Sequence, residues 1–241
     1  MVACIVIAGC GRVHFASDPD ADPSDASTSL DGPEPCPPFA TFCDGFESVG
    51  LGMWSSVYTP SAQMVDGVHV HTGRFALDAH VPPSGGTGGE GGPALMLAQT
   101  ISGTFAVREW VYSEQPIINY IGTVFVYSSA NPTGQYIEGL GDDVGNWAVT
   151  EDSPVGMLHD HTGSTAAATN AWVCVELVIA VGATASNRMQ LFIDGNLAID
   201  AAFDDPAPTY DAVAVGVTRA NTAGFELFID DVVFAAQRIG C

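Results

Sequence analysis

Period-2 alternation, a high glycine and proline content, and the lack of any 3.6-residue apolar stripe predict an all-β antiparallel sandwich, a jelly roll. The 241 residues include 27 Gly and 15 Pro, which break long helices. The segment 172–181 shows the alternation most cleanly, with Val173, Val175, Leu177, Ile179 and Val181 on one face and Trp172, Cys174 and Glu176 on the other. Hydrophobic residues make up 47% of the chain and charged residues 14%, so the sequence has the apolar content of a folded domain.

From the N-terminus, residues 1–10 form a short apolar run ending in Cys10, too short to cross a bilayer, which takes about 20 residues. Residues 11–35 hold Asp18, Asp20, Asp22, Asp25, Asp31 and Glu34 among Pro, Ser and Ala. They have little apolar surface to bury and are expected to be a disordered acidic linker. Their Asp-x-Asp-x-Asp start is not an EF-hand, because Pro23 stands where glycine is needed and Ser29 where glutamate is needed. Residues 36–241 are the expected sandwich domain, long enough for one core.

Within it, strands are expected near 41–47, 64–71, 74–81, 94–100, 104–112, 119–127, 134–139, 145–150, 172–181, 188–193, 197–201, 211–218 and 224–236. Asp194-Gly195 between two alternating runs predicts a hairpin. The glycine-rich run 84–93 matches G-x-G-x-x-G at Gly86, Gly88 and Gly91, but Pro93 and an alternating strand follow where a nucleotide site needs a helix, so a flexible loop is expected.

With 6 basic against 28 acidic side chains and no Lys, the net charge of −22 excludes nucleic acid and anionic lipid surfaces as partners. Cys36, Cys43, Cys174 and Cys241 are even in number and lack the close C-x₂-C pairing of zinc sites, so two disulfides in an exported protein are expected, with three pairings open.

No carboxylate pair at glucanase spacing and no G-x-S-x-G elbow occurs. A lyase centre would draw on His159, Asp160 and His161 near Tyr136, against an unfavourable charge. A binding face is the better reading, because sugars are held by flat aromatic rings beside polar groups. Arg108, Trp110 and Tyr112 share a face opposite Phe105, Val107 and Val111; Tyr136 and Glu138 share another, and Trp147 lies on the next strand. These six are the expected ligand-binding residues. Asp231 shares parity with Phe225, Leu227, Ile229 and Val233, so a regular strand would bury its carboxylate, which then needs a cation.

Several motifs carry resemblances. Ile7-Ala8-Gly9-Cys10 resembles the bacterial lipobox, which implies a signal peptide over 1–10 and lipidation at Cys10, with Gly11 favouring the outer membrane. Phe42-Cys43-Asp44-Gly45-Phe46-Glu47-Ser48 with Trp54, His71 to Leu77, Trp172 to Glu176, Leu191 to Gly195, Phe225 to Phe234 and Arg238 to Cys241 together resemble secreted bacterial lipoproteins with a concanavalin A-like, laminin-G-like jelly roll. The Gly45-Phe46-Glu47 and Ile229 to Val232 pair also resembles carbohydrate-binding modules of the family-4/9 type. The resemblance implies a lipid-anchored, calcium-containing module of the cell envelope or extracellular space that binds a glycan. A polysaccharide-degrading hydrolase or lyase of the same fold, or a protein-interaction module, is the alternative. It implies structural calcium at Glu47, Asp230 and Asp231. It also implies that the first and last strands pair, bringing Cys36 to Cys241 and leaving Cys43 for Cys174, with a local Cys36–Cys43 bond as the alternative.

Overall fold

The computed structural model describes residues 36–48, 54, 56–57, 63–81, 89–91, 93–97, 99–131, 134–142, 144–152, 158–182, 187–203, 209–220 and 224–241. The expected signal segment, Cys10, the acidic linker and most of the glycine-rich run lie outside them. All described regular elements are strands, and none is a helix able to cross a membrane.

Two antiparallel sheets form the sandwich. Along the chain the strands are β1 (Ala40–Asp44), β2 (Ser56–Val57), β3 (Gln63–Asp66), β4 (Ala76–Val81), β5 (Gly89–Gly91), β6 (Pro93–Met96), β7 (Gly103–Tyr112) and β8 (Ile121–Tyr127). They continue as β9 (Tyr136–Gly141), β10 (Asn146–Asp152), β11 (Leu158–Ala166), β12 (Val173–Val181), β13 (Arg188–Ile193), β14 (Asn196–Ala202), β15 (Ala212–Ala220) and β16 (Phe225–Ala235). The first sheet runs β14-β13-β12-β7-β16-β4-β3, with β1 also on β16; the second runs β11-β10-β9-β8-β15-β6-β2, with β5 on β15.

Alternation builds the core as expected. Val107, Val111, Val175, Leu177, Ile179, Leu227 and Ile229 from the first sheet meet Val124, Val126, Ile137, Val149, Val213 and Val215 from the second. Asp194 and Gly195 both adopt positive φ, 48° and 76°, which is the turn geometry that matches strand twist. β11 was not expected as a strand. It is an edge strand, polar along its length, so it carries no hydrophobic alternation to read.

The first and last strands pair, from Ala40↔Ala235 to Asp44↔Val232. Two disulfides form as expected, but by the local Cys36–Cys43 alternative and not by the Cys36–Cys241 pairing that the meeting of the end strands implied. A turn in which the Ala40 amide donates to the Pro37 carbonyl folds Cys36 back onto Cys43, where they bond. The C-terminal tail leaves β16 and crosses the outer face of the first sheet to bond Cys241 to Cys174 on β12. Along that path Arg108 donates to the Gly240 carbonyl at 3.2 Å, and the Ile239 and Gly240 amides donate to the buried Glu176 carboxylate.

β16 also changes partners midway. β4 pairs with Phe225–Ile229, β1 with Val232–Ala235, and a bulge at Asp230 and Asp231 separates them. Asp231 sits at φ 47°, and core-facing parity resumes with Val232 and Phe234. The bulge therefore corrects the expectation that Asp231 points into the core: it is the extra residue, turned toward the 71–75 loop.

Candidate functional site

The outer face of the second sheet carries a connected polar constellation. Tyr136 and Glu138 alternate with the core residue Ile137, so both lie on the face of the sheet away from the main core, where they are still buried, at 6% and 0% exposure. Register sets Glu138 between Thr150 and Phe125, and Tyr136 between Asp152 and Tyr127. Phe125 and Tyr127 join Tyr136 in a cluster separate from the main core, with ring centroids 4.9 Å apart for Phe125–Tyr127 and for Phe125–Tyr136.

Arg219 ties the face together. Its guanidinium lies 3.0 Å from Glu138 Oε2 and donates to the Tyr136 hydroxyl at 2.6 Å, with Cζ 5.5 Å from that ring. Thr218 donates to Glu138 Oε1 at 2.8 Å. Next to Glu138, the Thr150 hydroxyl donates to Asp160. Gly122 seats the carboxylate: a Cβ there would stand 2.0 Å from Glu138 Oε1 and 2.3 Å from Thr218 Oγ1. Burial raises the Tyr136 pKa, with Arg219 opposing, so the phenol stays protonated at neutral pH. Burial works against the Arg219 charge, but Glu138 and Tyr136 outweigh it and hold its pKa above the usual value.

The six residues expected to bind ligand are not brought together. Arg108, Trp110 and Tyr112 do share the outer face of the first sheet, but that face is partly covered. Arg108 lies under the C-terminal tail, and His71 stacks on Trp110 with centroids 3.8 Å apart. Tyr112 packs against His69, Trp172 and Phe228. Tyr136 and Glu138 are across the sandwich on the other sheet. Trp147 is in the core at 0% exposure, since it alternates with Ala148 and sides with Val149.

Arg219 and Thr218 were missed by the sequence reading. The pairing of β15 with β8 shifts between Val215 and Arg219, so alternation counted from Val213 and Val217 assigns Arg219 to the core side. Gly216, at φ 106° inside a strand, is the one signal of that irregularity.

The residues expected to hold calcium frame one loop without converging. Glu47 accepts from the Arg74 and Phe75 amides, and Asp230 from the His71, Thr72 and Asp231 amides. Asp231 accepts from the Thr72 hydroxyl and lies 2.7 Å from His71 Nδ1. Burial, then the adjacent Asp231 charge, pushes Asp230 up to about 8. Among the described residues, the three-residue set whose potential ligand atoms lie within 4.8 Å of one another is instead Asp78, His80 and Glu226.

A cavity of about 480 Å³ opens beside β1 and β6, lined by Phe42, Leu95, Leu97, Ile101, Phe105 and Phe234 among others, with no charged lining residue.

No protein-family model and no curated protein matches the chain. Solved structures do. The cellulose-induced protein Cip1 superposes with a TM-score of 0.63 at 17% identity, over 83% of this chain and 99% of its own. An endo-β-1,4-glucuronan lyase from the fungus Trichoderma reesei gives 0.60 at 13% identity, over 82% and 96%. Domain 4 of AbnA, an extracellular arabinanase of Geobacillus stearothermophilus solved with arabinotriose, gives 0.52 at 19% identity, over 73% and 76%. At these identities the likeness shows the fold, a concanavalin A-like jelly roll.

Proposed function

We propose that this domain binds a neutral or weakly charged glycan on the outer face of its second sheet, as an exported cell-envelope module. The observation that carries the reading is the Arg219–Glu138–Tyr136–Thr218 network beside Phe125 and Tyr127. An ion pair and a phenol are desolvated there, outside the main core, where apolar side chains would stabilise the fold as well or better. A guanidinium beside aromatic rings and hydroxyls suits a polyhydroxylated chain; Arg219, with 30% of its side chain exposed, is the group such a chain meets first, and Phe125, Tyr127, Tyr136 and Glu138 lie buried behind it. Glu138 and Asp160 next to Arg219 leave the face with no excess of cation, which disfavours strongly anionic polymers. The glycan-related names of Cip1, the glucuronan lyase and the arabinanase domain support the same class. The two disulfides support an oxidising compartment. Lipidation at Cys10 belongs to this proposal, and mass spectrometry of the membrane fraction tests it.

The network also favours a second reading, cleavage of a polysaccharide, because it sets a proton donor, a carboxylate and a cation side by side. Binding is preferred since Glu138 is held by Arg219 and Thr218, and Tyr136 is kept protonated rather than poised as a base.

A glycan array followed by titration calorimetry decides. Wild type should bind at micromolar to millimolar Kd, about −8 to −4 kcal/mol. Tyr136→Phe should weaken binding about tenfold, the loss of one hydrogen bond of about 1.4 kcal/mol. Trp110→Ala should leave it unchanged. If Trp110→Ala abolishes binding and Tyr136→Phe does not, the glycan sits on the first sheet. If no glycan binds, the functional reading fails; if products accumulate, the chain is an enzyme.

A further inference from the structure

The outer face of the first sheet holds a cluster that the glycan face does not use. On β4, Asp78 and His80 alternate with the core residues Leu77 and Ala79, so both project outward. On β16, Glu226 stands directly across from His80 in the register. The three side chains therefore rise from adjacent strands, His80 and Glu226 side by side and Asp78 one pleat repeat further along β4. His80 Nδ1 is 3.5 Å from Asp78 Oδ1, and one ligand atom from each residue lies within 4.8 Å of the other two.

This spacing suits a metal ion. Donors at about 2.0–2.2 Å from a tetrahedral zinc stand roughly 3.3–3.6 Å from one another, so the Asp78–His80 separation needs no change and Glu226 closes by rotation. Burial grades across the set: Asp78 is buried, His80 half-buried and Glu226 exposed. An ion would enter from solvent at Glu226 and come to rest against Asp78. Glu114 adds negative charge near Glu226, and its carboxylate lies 3.3 Å from His69 Nε2.

We propose that Asp78, His80 and Glu226 form a binding site for one first-row divalent cation of the zinc type. Asp78 and Glu226 each give a carboxylate oxygen, His80 gives a neutral imidazole nitrogen, and solvent completes the sphere. The imidazole sets the selectivity. Calcium takes an all-oxygen shell of six to eight ligands, which this set does not offer. Bound there, the ion ties β4 to β16 on the face away from the core.

The test uses the full chain freed of metal by chelation. Zn²⁺ is titrated calorimetrically, and Co²⁺ by its visible absorption, which reports coordination number. One equivalent of Zn²⁺ should bind, raise the melting temperature and resist competition by excess Ca²⁺. His80→Ala should weaken this binding at least tenfold and abolish the melting shift. Glu226→Gln, at an exposed position that the fold does not depend on, should weaken it measurably if His80→Ala does not fold. A His159→Ala/His161→Ala double variant should retain the site. The proposal is overturned if the wild type takes up no Zn²⁺ at micromolar concentrations. It is equally overturned if His80→Ala, or Glu226→Gln in its place, binds as tightly as wild type, or if Ca²⁺ displaces the ion.

Discussion

Replacing Glu109 by Gln should stabilise the domain at neutral pH. Glu109 stands on the core face of β7 between Val107 and Val111, fully buried, and neither of its carboxyl oxygens has a hydrogen-bond partner of good geometry. Burial holds its pKa well above the usual value, with Thr123 across the sandwich opposing only in part. In the unfolded chain a glutamate titrates near 4.3. The folded value is the higher one, so the stability contributed by the protonated form is complete below about pH 4.3 and is lost as pH rises through the folded value. The loss is about 1.4 kcal/mol per pH unit across that interval. Glu109→Gln keeps the volume and removes the titration. Its stability should match wild type near pH 4 and exceed it increasingly up to the folded value, by about 3–6 °C in Tm per pH unit for a domain of this size. Denaturant and thermal melts of both proteins from pH 4 to 8 measure the gap. The remaining carboxylates are common to both proteins and cancel in the difference. If the two stability curves run parallel between pH 4.5 and 7, Glu109 is ionised in the fold and the reasoning is wrong.

Gly122→Ala should push the Glu138 carboxylate off its seat, costing about 1–3 kcal/mol and lowering glycan affinity, as read by melts and calorimetry on one preparation. The disulfides should differ in worth. Cys174–Cys241 closes a separation of 67 residues and Cys36–Cys43 one of 7, so chain entropy assigns them about 4.4 and about 2.5 kcal/mol. Serine pairs at each bond, compared in denaturant under oxidising conditions, should reproduce that order, and the reverse order would refute the entropic account. Calcium at Glu47, Asp230 and Asp231 remains a proposal from the resemblance. Added Ca²⁺ should raise Tm in wild type and not in Asp231→Asn, whereas an unchanged wild-type Tm leaves the 71–75 loop as the partner of those carboxylates.

What the sequence made legible is whatever a strict period of two controls. The strand 172–181 and the Asp194-Gly195 hairpin are read correctly because they alternate against one core, and 104–112 is read as well although Glu109 interrupts its apolar face. Parity also placed Trp110 and Tyr112 outward, but which sheet an outward face belongs to depends on topology. Three residues on β7 and two on β9 therefore looked like one site while standing on opposite sides of the sandwich. Trp147 illustrates a second limit: Trp147 with Val149 and Ala148 with Thr150 are competing faces of one strand, and only packing against the first sheet decides for the tryptophan. The cysteine pairing depended on where six C-terminal residues travel after the last strand, which no alternation encodes.

The misreading of Asp231 and the omission of Arg219 both fall where strand pairing slips, and the same slips build the candidate sites. The shift at Asp230 and Asp231 puts two carboxylates onto the 71–75 loop instead of one into the core. On the second sheet, β8 shifts against β9 between Gly122 and Val124, and β15 shifts against β8 between Val215 and Arg219. These two irregularities set Arg219 opposite Gly122, where the missing side chain leaves room for Glu138 and Thr218. A bulge turns a residue that regular alternation would bury toward a neighbour on the outer face, which is how an ion pair forms on a sheet whose other side is apolar. Glycine within a strand weakens it and marks such places in a sequence. Gly122 and Gly216, each inside a run of β-branched residues, stand beside the Arg219–Glu138 pair, so mid-strand glycines locate this site better than the aromatic residues do.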